Sequence, residues 1–294
     1  MRARWAAVAL ALVLPACAPA DAKPPARAHQ LVSHGAVTID VVTEGAGLPV
    51  VLLPSLGRDS LDYDEVAAGL AGQGFRVLRP QPRGMGASTG PMDGLTLHDY
   101  ADDVAAVIEQ ENSGPAVLVG HAFGHFVARM TASDHSQLVR GVVVAAGAAR
   151  TYPDSLSAMV AIAADPARPE ADRLAALRGA FFAPGNDPTV WLTGWHPDVR
   201  AVQKAAGDRT DKDSWWRVAP SPILDLQAGD DPWRPPATRT ELADEFGELV
   251  SVAVVPNSSH ALLPEQPAAV VDAITAWIRT LPLPLDRTGT GATP

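Results

Sequence analysis

The stretch that decides the fold is Val117-Leu118-Val119-Gly120-His121-Ala122-Phe123-Gly124-His125-Phe126-Val127-Ala128-Arg129-Met130. A short apolar run ends at Gly120, and a helix-forming run with apolar residues at Phe126, Val127 and Met130 begins almost at once, so the backbone must reverse sharply between them. The spacing predicts a strand, a tight turn and a helix, with Gly120 and Gly124 allowing backbone elements to crowd together. At the tip stands Ala122.

Working outward, strands alternate with helices. Residues 36–43 alternate apolar and polar side chains and end in a Gly-containing turn, as an early antiparallel strand would. Residues 49–53, 75–79, 115–119, 138–146, 223–227 and 249–255 read as further strands, several of them apolar throughout. Continuous apolar runs of this kind mark strands covered on both faces, hence a mostly parallel sheet flanked by helices. Residues 61–71, 97–110 and 266–279 are amphipathic and predict helices, the second with Thr96 as N-cap and Asp99 as its partner. The alternation breaks between residues 150 and 219. That stretch is rich in alanine, carries no evident strand and holds Trp191, Trp195, Trp215 and Trp216, four of the seven tryptophans.

Composition narrows the function. A chain of 294 residues with 47% hydrophobic and 19% charged residues can bury a substantial core. The net charge of −10 argues against a nucleic-acid partner. The eight histidines are scattered, and no metal cluster, cofactor motif or repeat is evident. Arg2 and Arg4 precede an apolar run too short for a permanent membrane span, which predicts an export signal over residues 1–16. Leu14-Pro15-Ala16-Cys17 resembles the lipobox of bacterial lipoproteins, in which the cysteine becomes the lipidated N-terminus. Cys17 is the only cysteine, so no internal disulfide competes for it. Ordinary secretion with cleavage near Ala18 or Ala20 is the alternative. The expectation is an exported bacterial protein, anchored by lipid on the periplasmic or cell-surface side, with a proline-bearing tether over residues 17–30 and a loose tail over residues 282–294.

Four motifs carry a resemblance to the α/β-hydrolase superfamily, and they occur in its order. Gly120-His121-Ala122-Phe123-Gly124 resembles the nucleophile elbow, Gly-x-nucleophile-x-Gly. Arg83-Gly84-Met85-Gly86-Ala87-Ser88 resembles the superfamily's Gly-rich turn. Asp230-Asp231-Pro232-Trp233-Arg234-Pro235 resembles the acid loop, with Asp231 at the acid position and Asp230 as the alternative. Asn257-Ser258-Ser259-His260 and Glu265 resemble the histidine loop. The resemblance spans roughly residues 30–280. It implies an α/β-hydrolase fold, with core over 31–149 and 220–281 and a small helical cap over 150–219. It further implies that His260 faces Asp231 and the elbow, and that the N–H groups of Leu56 and Phe123 form an oxyanion hole.

With Ala122 at the nucleophile position, no acyl-enzyme can form there. Loss of one triad member typically leaves about 10³ to 10⁴ over water from the remaining groups. One expectation is a hydrolase-like enzyme acting on a small, apolar, carbonyl or ester-type substrate with the His260–Asp231 dyad as base; a lyase or cofactor-free oxygenase using His260 is a variant. A second is a non-catalytic binding protein, for which a lidded pocket suffices. The third displaces the nucleophile to Ser55, a residue otherwise read as a turn serine bonding its own backbone. His121 and His125 could relay protons, although a packing role for His121 and a helix first-turn role for His125 are the preferred readings. Trp195 and its neighbours either roof the pocket or pin the cap to the core. No cofactor is expected, and the oligomeric state is left open.

Overall fold

Successive side chains of a strand point to opposite faces, so a strand that is apolar throughout must be covered on both sides. In the computed structural model, which describes residues 27–216 and 221–282, this is how the chain is built. Strand β3 (Leu48–Leu53) sends Val50 and Leu52 into one hydrophobic cluster and Val51 and Leu53 into another, and β5 (Ala116–His121) divides Val117 and Val119 from Leu118 in the same way. Helix α1 (Asp64–Gly72) and the closing helix Pro267–Ile278 cover the first face; α2 (Leu97–Glu111) and α3 (Gly124–Asp134) cover the second.

The eight strands form one sheet in the order β1-β2-β4-β3-β5-β6-β7-β8. β1 (Ala28–His34), β2 (Val37–Gly45) and β4 (Phe75–Pro80) pair antiparallel; from β4 through β3, β5, β6 (Val139–Ala145), β7 (Ile223–Ala228) and β8 (Val250–Val255) the pairing is parallel. The carboxyl ends of the parallel strands share one edge, where ligands of open α/β sheets collect. The expected mostly parallel α/β sheet is thus present.

β1 differs from the expectation. Ala28, His29 and Gln30, read above as tether, pair with Thr43, Val42 and Val41 of β2. Exposed side chains at several β1 positions weaken its apolar alternation, and strand pairing rather than burial defines it. The signal segment, Cys17 and most of the tether lie outside the described residues, as does the tail from residue 283.

Between β6 and β7 the chain forms α4 (Asp154–Ala164), α5 (Glu170–Ala180), α6 (Pro197–Arg209) and α7 (Lys212–Trp216). The apolar faces of α4 and α5 meet in a separate cluster built on Leu156, Val160, Leu177, Phe181, Phe182 and Trp191, joined from the core by Trp233 and Ala261, whereas α6 and α7 add Ala206, Trp215 and Trp216 to the core cluster over α3. The insertion is a helical cap with its own small core. Thr96 caps α2 as its sequence suggests, its N–H donating to Asp99 Oδ2 at 2.8 Å.

Candidate active site

The elbow between β5 and α3 has the sharpness the sequence demands. Ala122 adopts φ 47°, a left-handed conformation that costs a non-glycine residue about 1–2 kcal/mol. Its backbone is held from both sides: the N–H donates to Ala145 O at 3.0 Å, and the carbonyl accepts from His125 N–H at 3.0 Å. The glycines are required by contact. A Cβ on Gly120 would lie 2.4 Å from His125 Cα, and one on Gly124 would lie 2.3 Å from Leu53 O. Ala122 is buried and lines the pocket beneath the cap.

The acid and histidine loops meet at this elbow. Asp231 Oδ2 lies 3.0 Å from His260 Nδ1, and Asp231 Oδ1 accepts the Trp233 N–H at 2.9 Å. With a carboxylate as acceptor, Nδ1 carries the hydrogen, which leaves the Nε2 lone pair for the pocket that His260 lines. Trp233 stacks on the imidazole at 4.8 Å between centroids, and Phe181 of the cap lies 5.8 Å away. Asp230, the alternative acid, is exposed and takes part through its backbone, its N–H donating to Ser258 O at 2.8 Å.

Leu56 and Phe123 both line the pocket, and among the described residues neither backbone N–H donates a hydrogen bond. The turn bearing Leu56 is stitched to the cap. Gly57 N–H donates to Gln203 Oε1 at 2.7 Å, and Gly57 O accepts from His196 N–H at 2.9 Å. Arg58, with no more than 1% of its surface exposed, forms a two-point pair with Asp62 at 2.6 and 2.7 Å and donates to Thr193 O at 2.6 Å. Its guanidinium sits 4.7 Å from the ring centroids of both Trp191 and Trp195. Desolvated cation–π contacts of this kind fix the cap stem to the turn.

Ser55 lines the pocket, but its hydroxyl makes no hydrogen bond among the described residues, so the expected bond to its own backbone is not the local device. The Ser55 N–H instead donates to Tyr63 Oη at 2.9 Å. Tyr63 Oη lies 2.8 Å from His121 Nδ1, and His121 Nε2 lies 2.6 Å from His260 O. A carbonyl can only accept, so Nε2 bears the His121 hydrogen and Nδ1 accepts the phenolic proton. Burial, then the charge of nearby His260, pushes the His121 pKa down to about 3, and burial pushes the Tyr63 phenol well above its ordinary value. Both groups are therefore neutral near pH 7. Sequence reasoning gave His121 a packing role and passed over Tyr63; together they tie the turn at Ser55, the elbow strand and the loop of His260.

His125 is 1% exposed, and neither ring nitrogen has a partner among the described residues. Burial first, then the positive charges of Arg129 and Arg234, hold its pKa well below the ordinary histidine value. It lines the same pocket, a cavity of about 340 Å³ between core and cap. The cap tryptophans divide their roles. Trp195, Trp215 and Trp216 line the pocket, whereas Trp191 is fully buried against Arg58 and Phe182. Trp215 and Trp216 also belong to the core cluster over α3, so roofing and pinning are both served.

Comparison with known proteins shows the family to which this chain belongs. Residues 50–273 match the model of the alpha/beta hydrolase family. A 2-(acetamidomethylene)succinate hydrolase of Mesorhizobium japonicum is 31% identical over 38% of this chain and 40% of its own length. A soluble epoxide hydrolase of Corynebacterium sp. is 32% identical over 40% of each chain. The matched stretch thus spans about two fifths of these relatives. The crystal structure of E-2-(acetamidomethylene)succinate hydrolase superposes with a TM-score of 0.70 at 22% identity, covering 86% of this chain and 100% of that one, a likeness of fold. By its family match, its sheet and its helical cap, this chain belongs to the alpha/beta hydrolase family.

Proposed function

We propose that this protein is a hydrolase-like enzyme that turns over a small carbonyl or ester-type substrate by general-base catalysis, without a covalent intermediate at the elbow. The observation that carries the reading is the Asp231–His260 hydrogen bond at 3.0 Å with Nε2 left free on the wall of the pocket. A site that merely holds a ligand needs no oriented base. In the proposed step His260 Nε2 takes a proton from water, the resulting hydroxide attacks the carbonyl carbon, and the oxyanion develops between the N–H groups of Leu56 and Phe123. Collapse of the tetrahedral intermediate expels the alkoxide, which receives the proton from the imidazolium. Asp231 holds the ring orientation and stabilises its transient charge.

General-base assistance supplies about 10² to 10⁴ in rate, well short of a full triad. Slow turnover on activated esters is therefore the expected behaviour. The inert methyl of Ala122 favours, as a second reading, a ligand-binding protein that has lost its chemistry. Following nitrophenolate release from p-nitrophenyl butyrate together with the intact protein mass separates the readings. The proposal expects release with no acyl adduct. No release would favour ligand capture, and an adduct on Ser55 would assign the chemistry to a displaced nucleophile.

Export and lipid attachment at Cys17 belong to the same proposal, resting on the basic and apolar pattern of residues 1–16 and the lipobox-like Leu14-Pro15-Ala16-Cys17. Metabolic labelling with palmitate should mark the wild type and not Cys17→Ala; equal labelling of neither would favour ordinary secretion.

A further inference from the structure

Besides its histidines, the pocket is lined by three cations and one carboxylate: Arg200, Lys204, Lys212 and Asp208. In a chain whose net charge is −10, a local excess of positive charge is set against the overall field and draws anions into the cleft. Two of the three cations are already occupied. Lys204 pairs with Asp208 at 2.6 Å, and Lys212 donates to the carbonyl of Arg150 while lying over the rings of Trp215 and Trp216.

Arg200 is different. Among the described residues its guanidinium has no carboxylate or carbonyl partner, and its Nε is buried without one. The stem is nonetheless fixed. Arg200 follows the start of α6 and presses on Gly57, where an added Cβ would come within 2.6 Å of Arg200 Cβ. Gly57 is the neighbour of Leu56, whose N–H forms one side of the oxyanion hole proposed above. The stem of a half-buried arginine thus packs on the turn next to the place where a substrate carbonyl would be held, and the same residue lines the pocket. Leaving the buried Nε unpaired is costly, and a planar carboxylate matches the guanidinium fork with two parallel bonds. On another wall, neutral His125 offers one donor and one acceptor, both unpartnered.

The geometry points to Arg200 as a carboxylate anchor, so that the pocket takes a small ester or acyl compound bearing a free carboxylate rather than a wholly apolar one. An apolar ligand would strip water from Arg200 and return nothing. The assignment deepens the hydrolase reading by naming a substrate class, and it takes the position of the reacting carbonyl from that reading.

The test measures binding alone, so its failure is separable from a failure of turnover. Monomethyl succinate and dimethyl succinate share an ester and differ in one negative charge. Each is titrated into the His260→Ala protein, with quenching of the pocket tryptophans as the signal. The expected result is at least about tenfold tighter binding of the monoester, as a paired carboxylate should give. Arg200→Gln should abolish that preference, and Arg200→Lys should retain part of it. Equal affinity for the two esters, a preference that survives Arg200→Gln, or no binding of either ester would overturn the assignment.

Discussion

The elbow and the loops that face it have kept different things. At the elbow the backbone shape is formed: Ala122 at φ 47°, glycines at Gly120 and Gly124 that admit no Cβ, and an N–H at Phe123 without an acceptor among the described residues. The side chain at its tip is a methyl group. In the facing loops the hydrogen-bonded Asp231–His260 pair is complete, backed by Trp233 and by the Tyr63–His121 chain. Backbone geometry and side-chain chemistry are thus separable in one site, since the elbow is held by packing between β5, α3 and β3 whatever side chain it displays.

The strongest way to break the comparison is to restore the missing atom. If the elbow lacks only a hydroxyl, Ala122→Ser should raise p-nitrophenyl ester hydrolysis by roughly 10³-fold and allow covalent labelling by a fluorophosphonate. An Ala122→Ser protein that stays unlabelled and inactive would mean that the elbow has lost more than an oxygen. Gly124→Ala attacks the shape instead. Its Cβ would meet the backbone carbonyl of Leu53 at 2.3 Å, and the expected cost exceeds about 3 kcal/mol, readable as a lowered denaturant midpoint.

Acid should weaken the buried histidines that support both regions. His121, at about 3, and His125 have folded pKa values below the unfolded value near 6.5. The unfolded state therefore binds more protons below about pH 6.5, and stability is full above that pH and falls as pH drops towards 3. His121 contributes a slope of about 1.4 kcal/mol per pH unit within the window, and His125 adds to it in the same direction. Urea unfolding at pH 7 and pH 5 measures the loss, and replacing His125 by Phe should flatten it. The smallest effect sharpens the comparison most: Ala122→Gly relieves the left-handed strain and should stabilise by no more than about 1 kcal/mol, because glycine's entropy offsets part of the gain.

The parts of this molecule legible in the sequence are those with a local signature. β3 and β5 announce themselves by unbroken apolar runs, the elbow by closely spaced glycines, and Asp231 and His260 by prolines and small residues that shape their loops. β1 escapes because its side chains are largely exposed and its identity comes from pairing with β2. The Ser55–Tyr63–His121–His260 chain escapes for a related reason: its members are 139 positions apart at the widest hydrogen bond, and no pattern of spacing encodes a hydrogen bond across a sheet edge. Tyr63 left one trace, a phenol on a helix start whose neighbours are otherwise charged or apolar. Arg58 and Arg200 resemble surface arginines in sequence, and only the folding of α6 against the turn at Gly57 reveals one as a cap clamp and the other as a cation facing the pocket.

The central claim is that an oriented imidazole, and no nucleophile, does the chemistry of this site. It is tested most directly by kcat/KM for p-nitrophenyl acetate in the wild type and in folded His260→Ala. The account predicts a wild-type rate above the buffer reaction that falls by 10² or more, within the span of about 10² to 10⁴ expected for a lost general base. A variant as active as the wild type would contradict it.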